Sequence, residues 1–278
     1  MLLDIVPQRY PVPSSDVPHT ATRVGIGGRA AAVAAWVSSL GGEAGLIGAR
    51  GDDVVARMAA AELYRRGVRM HGPVVRGETG TVARLIGESG PPSTAASPSL
   101  TAADLDPSWF AGADVLHISG HGLLTGPTAE FAAAAAEMAR PAGVRISVDL
   151  PSAEMIRYWG PESVAGRLLR LRPRVLFGAE DALDALGIRP SVPVVVVTRA
   201  DGGVQVRRRG QVREIPAPDV AIVDSTCVND AFVAGFLLGA DLDDSIDRAR
   251  RAAAMCRGCS GQLPAIREGV ASASSSVP

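Results

Sequence analysis

The stretch VDSTCVNDAFVAGFLLG, residues 223–239, combines residue types that can manage an anion and a proton together. A short apolar run (AIV) passes into a polar turn (DSTCVND), and the turn leads into an apolar helix (AFVAGFLLG). A helix N-terminus presents unpaired N–H groups and the positive end of the helix dipole. The backbone N–H groups around 227–230 can therefore hold a transferring phosphoryl group. Asp230 stands at the start of that helix. A carboxylate there is badly placed to bind phosphate, but well placed to take a proton from an attacking hydroxyl. The plainer reading is that Asp224, Ser225, Thr226 and Asp230 simply cap a helix.

A glycine cluster, VGIGGRAAAVAAWVSSLGG, begins at Val24, and Gly25, Gly27 and Ala30 fit G-x-G-x-x-A. That dinucleotide fingerprint needs a buried strand directly before it. The preceding SSDVPHTAT is polar and contains Pro18, which argues against a dinucleotide role. Two readings stand beside it. Gly27 and Gly28 permit a tight turn, with alanines that let the helix lie close to a sheet. Alternatively, the exposed N–H groups and Arg29 meet a polar substrate at the helix N-terminus.

These segments must be positioned by an α/β framework. Apolar runs predict strands at 2–6, 44–49, 114–120, 144–150, 174–178 and 192–198. Alanine-rich amphipathic stretches predict helices at 28–40, 53–66, 127–140, 161–171, 179–186, 230–239 and 243–257. Strands that are apolar throughout and separated by helices indicate a mostly parallel sheet covered on both faces. Residues 68–87 read as consecutive strands with no helix between them, a small β flap; 88–99, rich in Pro and Ser, reads as a loop. MLLDIV reads as a buried strand that starts abruptly at Met1, and ASASSSVP as a frayed tail.

In this order and spacing the chain resembles the ribokinase-like (PfkB) family of sugar and nucleoside kinases. GIGGRAAAVAAWVSSLGGEAGLIGARGDDVVARMAAAELYRRGV is similar to the family's first signature, and DSTCVNDAFVAGF to its second, D-T-x-G-A-G-D-x-F-x-x-G. Asp224, Thr226, Asp230, Phe232 and Gly235 keep the required spacing; TGT at 79–81 and SVDLPSA at 147–153 also match similar text. The resemblance implies a single three-layer α/β sandwich over 1–278, with a small β lid formed mainly by about 68–90 and part of 7–24. It implies transfer of the γ-phosphoryl group of ATP, with Mg²⁺, to a hydroxyl of a sugar, nucleoside or related small molecule. By the same resemblance Asp230 is the catalytic base, and Cys227, Val228 and Asn229 form the anion hole. Asp4, Asp16, Gly27, Gly28, Arg29 and Ala32 face the acceptor. Thr198, Ala200, Gly203, Arg257 and Cys259 approach the nucleotide.

Several positions depart from the family pattern. Cys227 and Asn229 replace glycines, and Ala32 replaces an Asn that usually contacts a sugar hydroxyl. In FGAEDA, Gly178 stands for the Asn of N-x-x-E and Asp181 for its acid, which leaves Asp181 a weak, indirect metal ligand. Ala200 stands for a glycine of T-x-G-x-x-G. A left-handed Cys227 would cost roughly 1–2 kcal/mol, whereas Asn visits positive φ more readily. These departures keep open an alternative, an impaired relative that binds a ligand or regulates. A third hypothesis, an oxidoreductase, rests on GIGGRA alone.

Composition narrows the partners. The formal net charge is −1 and aromatics are 4%, which gives no basis for nucleic-acid or acidic-lipid binding. No apolar run approaches the roughly 20 residues that span a bilayer, and the N-terminus lacks a signal-peptide pattern, so a cytoplasmic protein is expected. By resemblance, the lid is a candidate homodimer surface. Cys256 and Cys259 form C-R-G-C, which lacks the second pair a structural zinc site needs, and reads best as small buried thiols. His117, inside an apolar strand, reads as a core residue. His121, at a strand end where open α/β sheets place ligands, is either an acceptor contact or a solvated loop residue.

Overall fold

The computed structural model describes residues 2–9, 20–77, 79, 81–83, 100–217, 227–257 and 263–264. They fall into two compact units, Met1–Pro98 with Ser260–Pro278, and Ser99–Cys259.

In the first unit, β1 (Leu2–Arg9) pairs antiparallel with β2 (Thr20–Gly27), from Leu2 opposite Gly27 to Arg9 opposite Thr20. Helix α1 (Arg29–Ser39) follows directly. Then β3 (Ala44–Ile47), α2 (Val54–Arg65) and β4 (Val68–His71) make a parallel βαβ unit, and β5 (Thr81–Ala83) joins β1 in parallel. Strands β4 and β5, both within the stretch read as a flap, thus pair in different sheets. The core gathers Ile26, Ala31, Ala34, Leu46, Leu63 and Val68. Residues 31–36 of α1 are all buried, so alanine on most sides lets this helix be enclosed all round.

A strand does precede the glycine cluster, which corrects the expectation drawn from its polar sequence. Backbone pairing with β1 supplies the ladder, and β2 is the edge strand of the described sheet β2-β1-β5, where apolar side chains are not required. Gly25 and Gly27 lie inside this antiparallel strand rather than in a βαβ turn, so the dinucleotide geometry is still missing. Gly28, at φ 101°, breaks the strand and starts α1, a conformation L-residues rarely adopt.

The second unit is built on a six-stranded sheet of order β11-β10-β9-β8-β7-β6. Strands β6 (Val115–Ile118), β7 (Arg145–Asp149), β8 (Val175–Ala179) and β9 (Val194–Thr198) are parallel. β10 (Val204–Arg208) and β11 (Gln211–Ile215) form an antiparallel hairpin at one edge. Its turn is Arg209–Gly210, with φ of 49° and 79°, the two-residue turn that suits twisted strands.

Register decides which side chains share a face. His117 lies opposite Ser147, Asp149 opposite Phe177, and Phe177 opposite Val196. This face is covered by α7 (Val228–Leu237), where Phe236 meets Phe177 edge-on at 5.3 Å. The other face carries Ile146, Val148, Leu176, Val195 and Val197, all buried. Helices α3 (Gly126–Ala139), α4 (Ala153–Trp159), α5 (Pro161–Leu171) and α6 (Glu180–Ala185) and the final α8 (Leu242–Arg257) complete the unit, a mostly parallel three-layer α/β arrangement as expected. Helices α7 and α8 approach very closely: a Cβ on Gly235 would lie 2.6 Å from the Arg248 carbonyl oxygen.

Candidate active site

Cys227 is the N-cap of α7 and sits at φ 63°, ψ 8°, the left-handed region. That conformation costs an L-residue roughly 1–2 kcal/mol. The second replaced glycine behaves differently, because Asn229 lies within the helix and is exposed. The strain of the altered turn therefore falls on Cys227 alone of the two. The Ala231 N–H donates to the Cys227 carbonyl at 2.9 Å and closes the first turn. Asp230, in that turn, is buried, only 6% exposed. The positive end of the helix stabilises a carboxylate there. Asp224, Ser225 and Thr226 lie outside the described residues.

Beneath α7, the sheet contributes two more buried polar side chains, Ser147 and Asp149. His117 is half-buried in β6; its Nδ1 is 3.0 Å from Ser147 Oγ and its ring lies edge-on to Phe177 at 6.1 Å. His121 is exposed on a 3₁₀ turn (Gly120–Leu123) after β6, in which Gly120 and Leu123 are buried.

A small, solvent-open pocket adjoins the start of α7. One wall is the β9–β10 turn, with Thr198, Arg199, Gly202 and Gly203. Val204, Ile215 and Pro216 make an apolar floor; Val228, Asn229 and Phe232 come from α7, and Arg250, Ala253 and Arg257 from α8. The turn is closed by the Gly203 N–H donating to Asp201 Oδ1 at 2.8 Å and the Arg199 N–H to the Gly203 carbonyl at 2.9 Å. Gly202 has φ 81°, and a Cβ there would come within 2.6 Å of an Arg257 guanidinium nitrogen. The missing side chain is therefore what lets Arg257 reach the turn.

Thr198, Gly203 and Arg257 are thus brought to one pocket with Val228 and Asn229 of the proposed anion hole. Ala200 lies on the same turn but is exposed and does not line the pocket. Cys259 lies outside the described residues. Gly178 is not an empty position: a Cβ there would be 2.9 Å from Leu150 Cδ1, so Leu150 fills the space that a side chain would need. Asp181, in the first turn of α6, is exposed. No group of three or more His, Cys, Asp or Glu among the described residues is arranged to hold a metal ion.

In the first unit, Asp4 lies on β1 opposite Gly25, close along the ladder to Gly27. Gly27, Gly28 and Arg29 form the β2–α1 junction, and Ala32 is buried one turn into α1. Asp16 lies outside the described residues. The G-D-D text acquires a physical role. Asp53 caps α2 by accepting from the Ala56 N–H at 2.7 Å, and also accepts the N–H and hydroxyl of Thr79 at 2.7 and 2.9 Å. The Thr79 and Ala56 backbone bonds hold its carboxyl below the usual carboxylate range. A Cβ on Gly51 would collide with the Gly77 carbonyl at 2.4 Å, so the glycine permits this docking.

The pfkB family carbohydrate kinase model matches residues 4–158 and 168–267. The chain belongs to this family. The kinase is 30% identical over 272 residues to the ATP-dependent ribose-1-phosphate kinase of Halopiger xanaduensis, covering 95% of this chain and 88% of that one. It is also 30% identical to a fructokinase of Klebsiella pneumoniae over 236 residues, 77% of this chain and 76% of that one. An uncharacterised sugar kinase from Pyrococcus horikoshii, solved in complex with ATP, superposes with a TM-score of 0.78 at 21% identity, covering 95% and 92% of the two chains. The protein is accordingly an ATP-dependent phosphotransferase acting on a small molecule.

Two sets of pocket residues escape the sequence reading. The apolar floor belongs to the β10–β11 hairpin, whose signal was the Val204/Val206 alternation before Arg209–Gly210. Arg250 belongs to α8, on the same helical face as Arg257 at i and i+7.

Proposed function

We propose that the kinase transfers the γ-phosphoryl group of ATP to a hydroxyl of a sugar, sugar phosphate or nucleoside, with Asp230 as the general base. The buried carboxylate in the first turn of α7, directly behind a left-handed N-cap and beside the Val228–Asn229 edge of the pocket, carries the reading. Asp230 accepts the proton of the acceptor hydroxyl as that oxygen attacks. The N–H groups of 227–229 hold the transferring phosphoryl group, which they can do whatever their side chains are.

The nucleotide takes the pocket along α8. Its apolar floor suits a purine ring, and Thr198, the glycine turn and Arg257 suit phosphate. Magnesium in such sites is bound through one or two carboxylates plus substrate phosphates. Asp181 is the residue of the depleted motif that still carries a carboxylate, so the nucleotide supplies most of the ligands. Asp4, Asp16, the Gly27–Arg29 junction, Ala32 and His121 are assigned to the acceptor.

The test is acceptor-dependent ADP release with Mg-ATP. Its panel should begin with ribose 1-phosphate and fructose, the compounds for which two relatives are named. Asp230→Asn should lower kcat by roughly 10²–10⁴-fold, the usual worth of a general base, and leave ADP binding intact. A variant that keeps wild-type turnover would remove Asp230 from the chemistry.

A further inference from the structure

The two long helices behind the pocket fix its direction. Gly235 of α7 packs on Arg248 and Ala249 of α8, and Gly239 packs on Ser245. Helix α8 therefore runs antiparallel to α7 and returns toward the N-terminus of α7. Arg257, at the end of α8, lies there beside Gly202. Arg250, Ala253 and Arg257 share one helical face and all line the pocket. Seven residues at the α-helical rise set Arg250 and Arg257 about 10 Å apart along it, a span comparable with that from the phosphates of a nucleotide to its base. With the phosphates at the start of α7, Arg250 stands at the base end. Phe232, Val204, Ile215 and Pro216 line the same pocket. Arg250 is exposed and forms no ion pair with a described residue.

We infer that Arg250 reads the edge of the purine, and that a 6-oxo purine nucleotide, GTP or ITP, is bound at least as well as ATP. This rests on the donor-pocket reading given above. A guanidinium only donates hydrogen bonds and presents them as a planar fork. The O6/N7 edge of guanine or hypoxanthine offers two acceptors to that fork. Adenine offers N7 and a competing N6 donor. The apolar walls grip either ring equally, so discrimination falls to the residue at the end of the pocket.

Titration calorimetry with ADP and with GDP, each with Mg²⁺, needs no knowledge of the acceptor. The wild type should bind GDP with a Kd equal to or below that of ADP. Arg250→Ala should weaken GDP roughly ten-fold while changing ADP little, and Arg250→Lys, which cannot form the fork, should recover only part of the loss. Alanine on an exposed helical face is well tolerated, so these variants should fold. Wild-type binding of ADP ten-fold tighter than GDP would overturn the inference alone. So would an equal loss for both nucleotides in Arg250→Ala, which would place the arginine on the sugar or phosphates. Failure of the wild type to bind either nucleotide would overturn the donor-pocket reading and this inference with it.

Discussion

The turn before α7 offers a direct measurement of what a family departure costs. Cys227 occupies φ 63°, where its Cβ crowds the following carbonyl. Glycine there escapes a penalty of roughly 1–2 kcal/mol, but its greater freedom in the unfolded chain returns about 0.4–1 kcal/mol. Cys227→Gly should therefore stabilise the protein by about 0.5–1 kcal/mol, and 1 kcal/mol corresponds to roughly 2–4 °C in a chain of this size class. Cys227→Ala is the control, since it removes the thiol but keeps the Cβ and the strain. The assay is thermal unfolding of the three proteins under identical buffer, followed by kcat with the best acceptor. A Tm for Cys227→Gly one to three degrees above both wild type and Cys227→Ala supports the argument. A glycine variant no more stable than the alanine variant would refute it. If the side chain also crowds the phosphoryl site, both variants should raise kcat, because both remove Sγ.

Three further outcomes follow from the same geometry. Asp230→Asn should lose turnover while retaining donor binding, as measured by ADP release and calorimetry. Restoring the family's Asn with Gly178→Asn should destabilise by roughly 1–3 kcal/mol from overpacking, because its Cβ would press on Leu150; the double variant with Leu150→Ala should recover part of the loss in a denaturation cycle. The Asp53 carboxyl is held down in the folded state, so its contribution is present above the unfolded pKa and fades as pH falls through the lower folded value. Hydrogen-exchange protection of the Thr79 amide should therefore persist at neutral pH and weaken only below about pH 4, and Asp53→Asn should weaken it at neutral pH and make little difference in acid.

Much of the framework was legible because parallel strands buried on both faces are apolar throughout. The helices containing Arg29, Val54, Gly126, Pro161, Glu180 and Asp230 lie within two residues of their expected limits. The elements that escaped are those with weaker patterns. Helix α4 is only seven residues long, and the β10–β11 hairpin carries arginines on its exposed positions. The composition of strand β2 does not mark it as a strand, since pairing with β1 is what makes it one; only the family resemblance puts part of 7–24 in a β element. Among the candidate site residues, Asp230 was legible from a polar turn running into an apolar helix in its own sequence. Arg250 was not, since nothing local distinguishes one arginine of α8 from another.

Sequence alone was enough for the α/β class, which follows from periodicity, for the family, through its resemblance to two signatures, and for an acid in the first turn of α7. Tertiary structure decided three other matters. It placed the strain at Cys227 rather than at Asn229, since backbone angles at a turn depend on where the helix begins. It made Gly178 a position filled by Leu150, since packing across neighbouring strands joins residues far apart in sequence. It also joined the β9–β10 turn, the β10–β11 hairpin and one face of α8 into a single pocket, because only the antiparallel return of α8 along α7 brings Arg250 and Arg257 to the same wall.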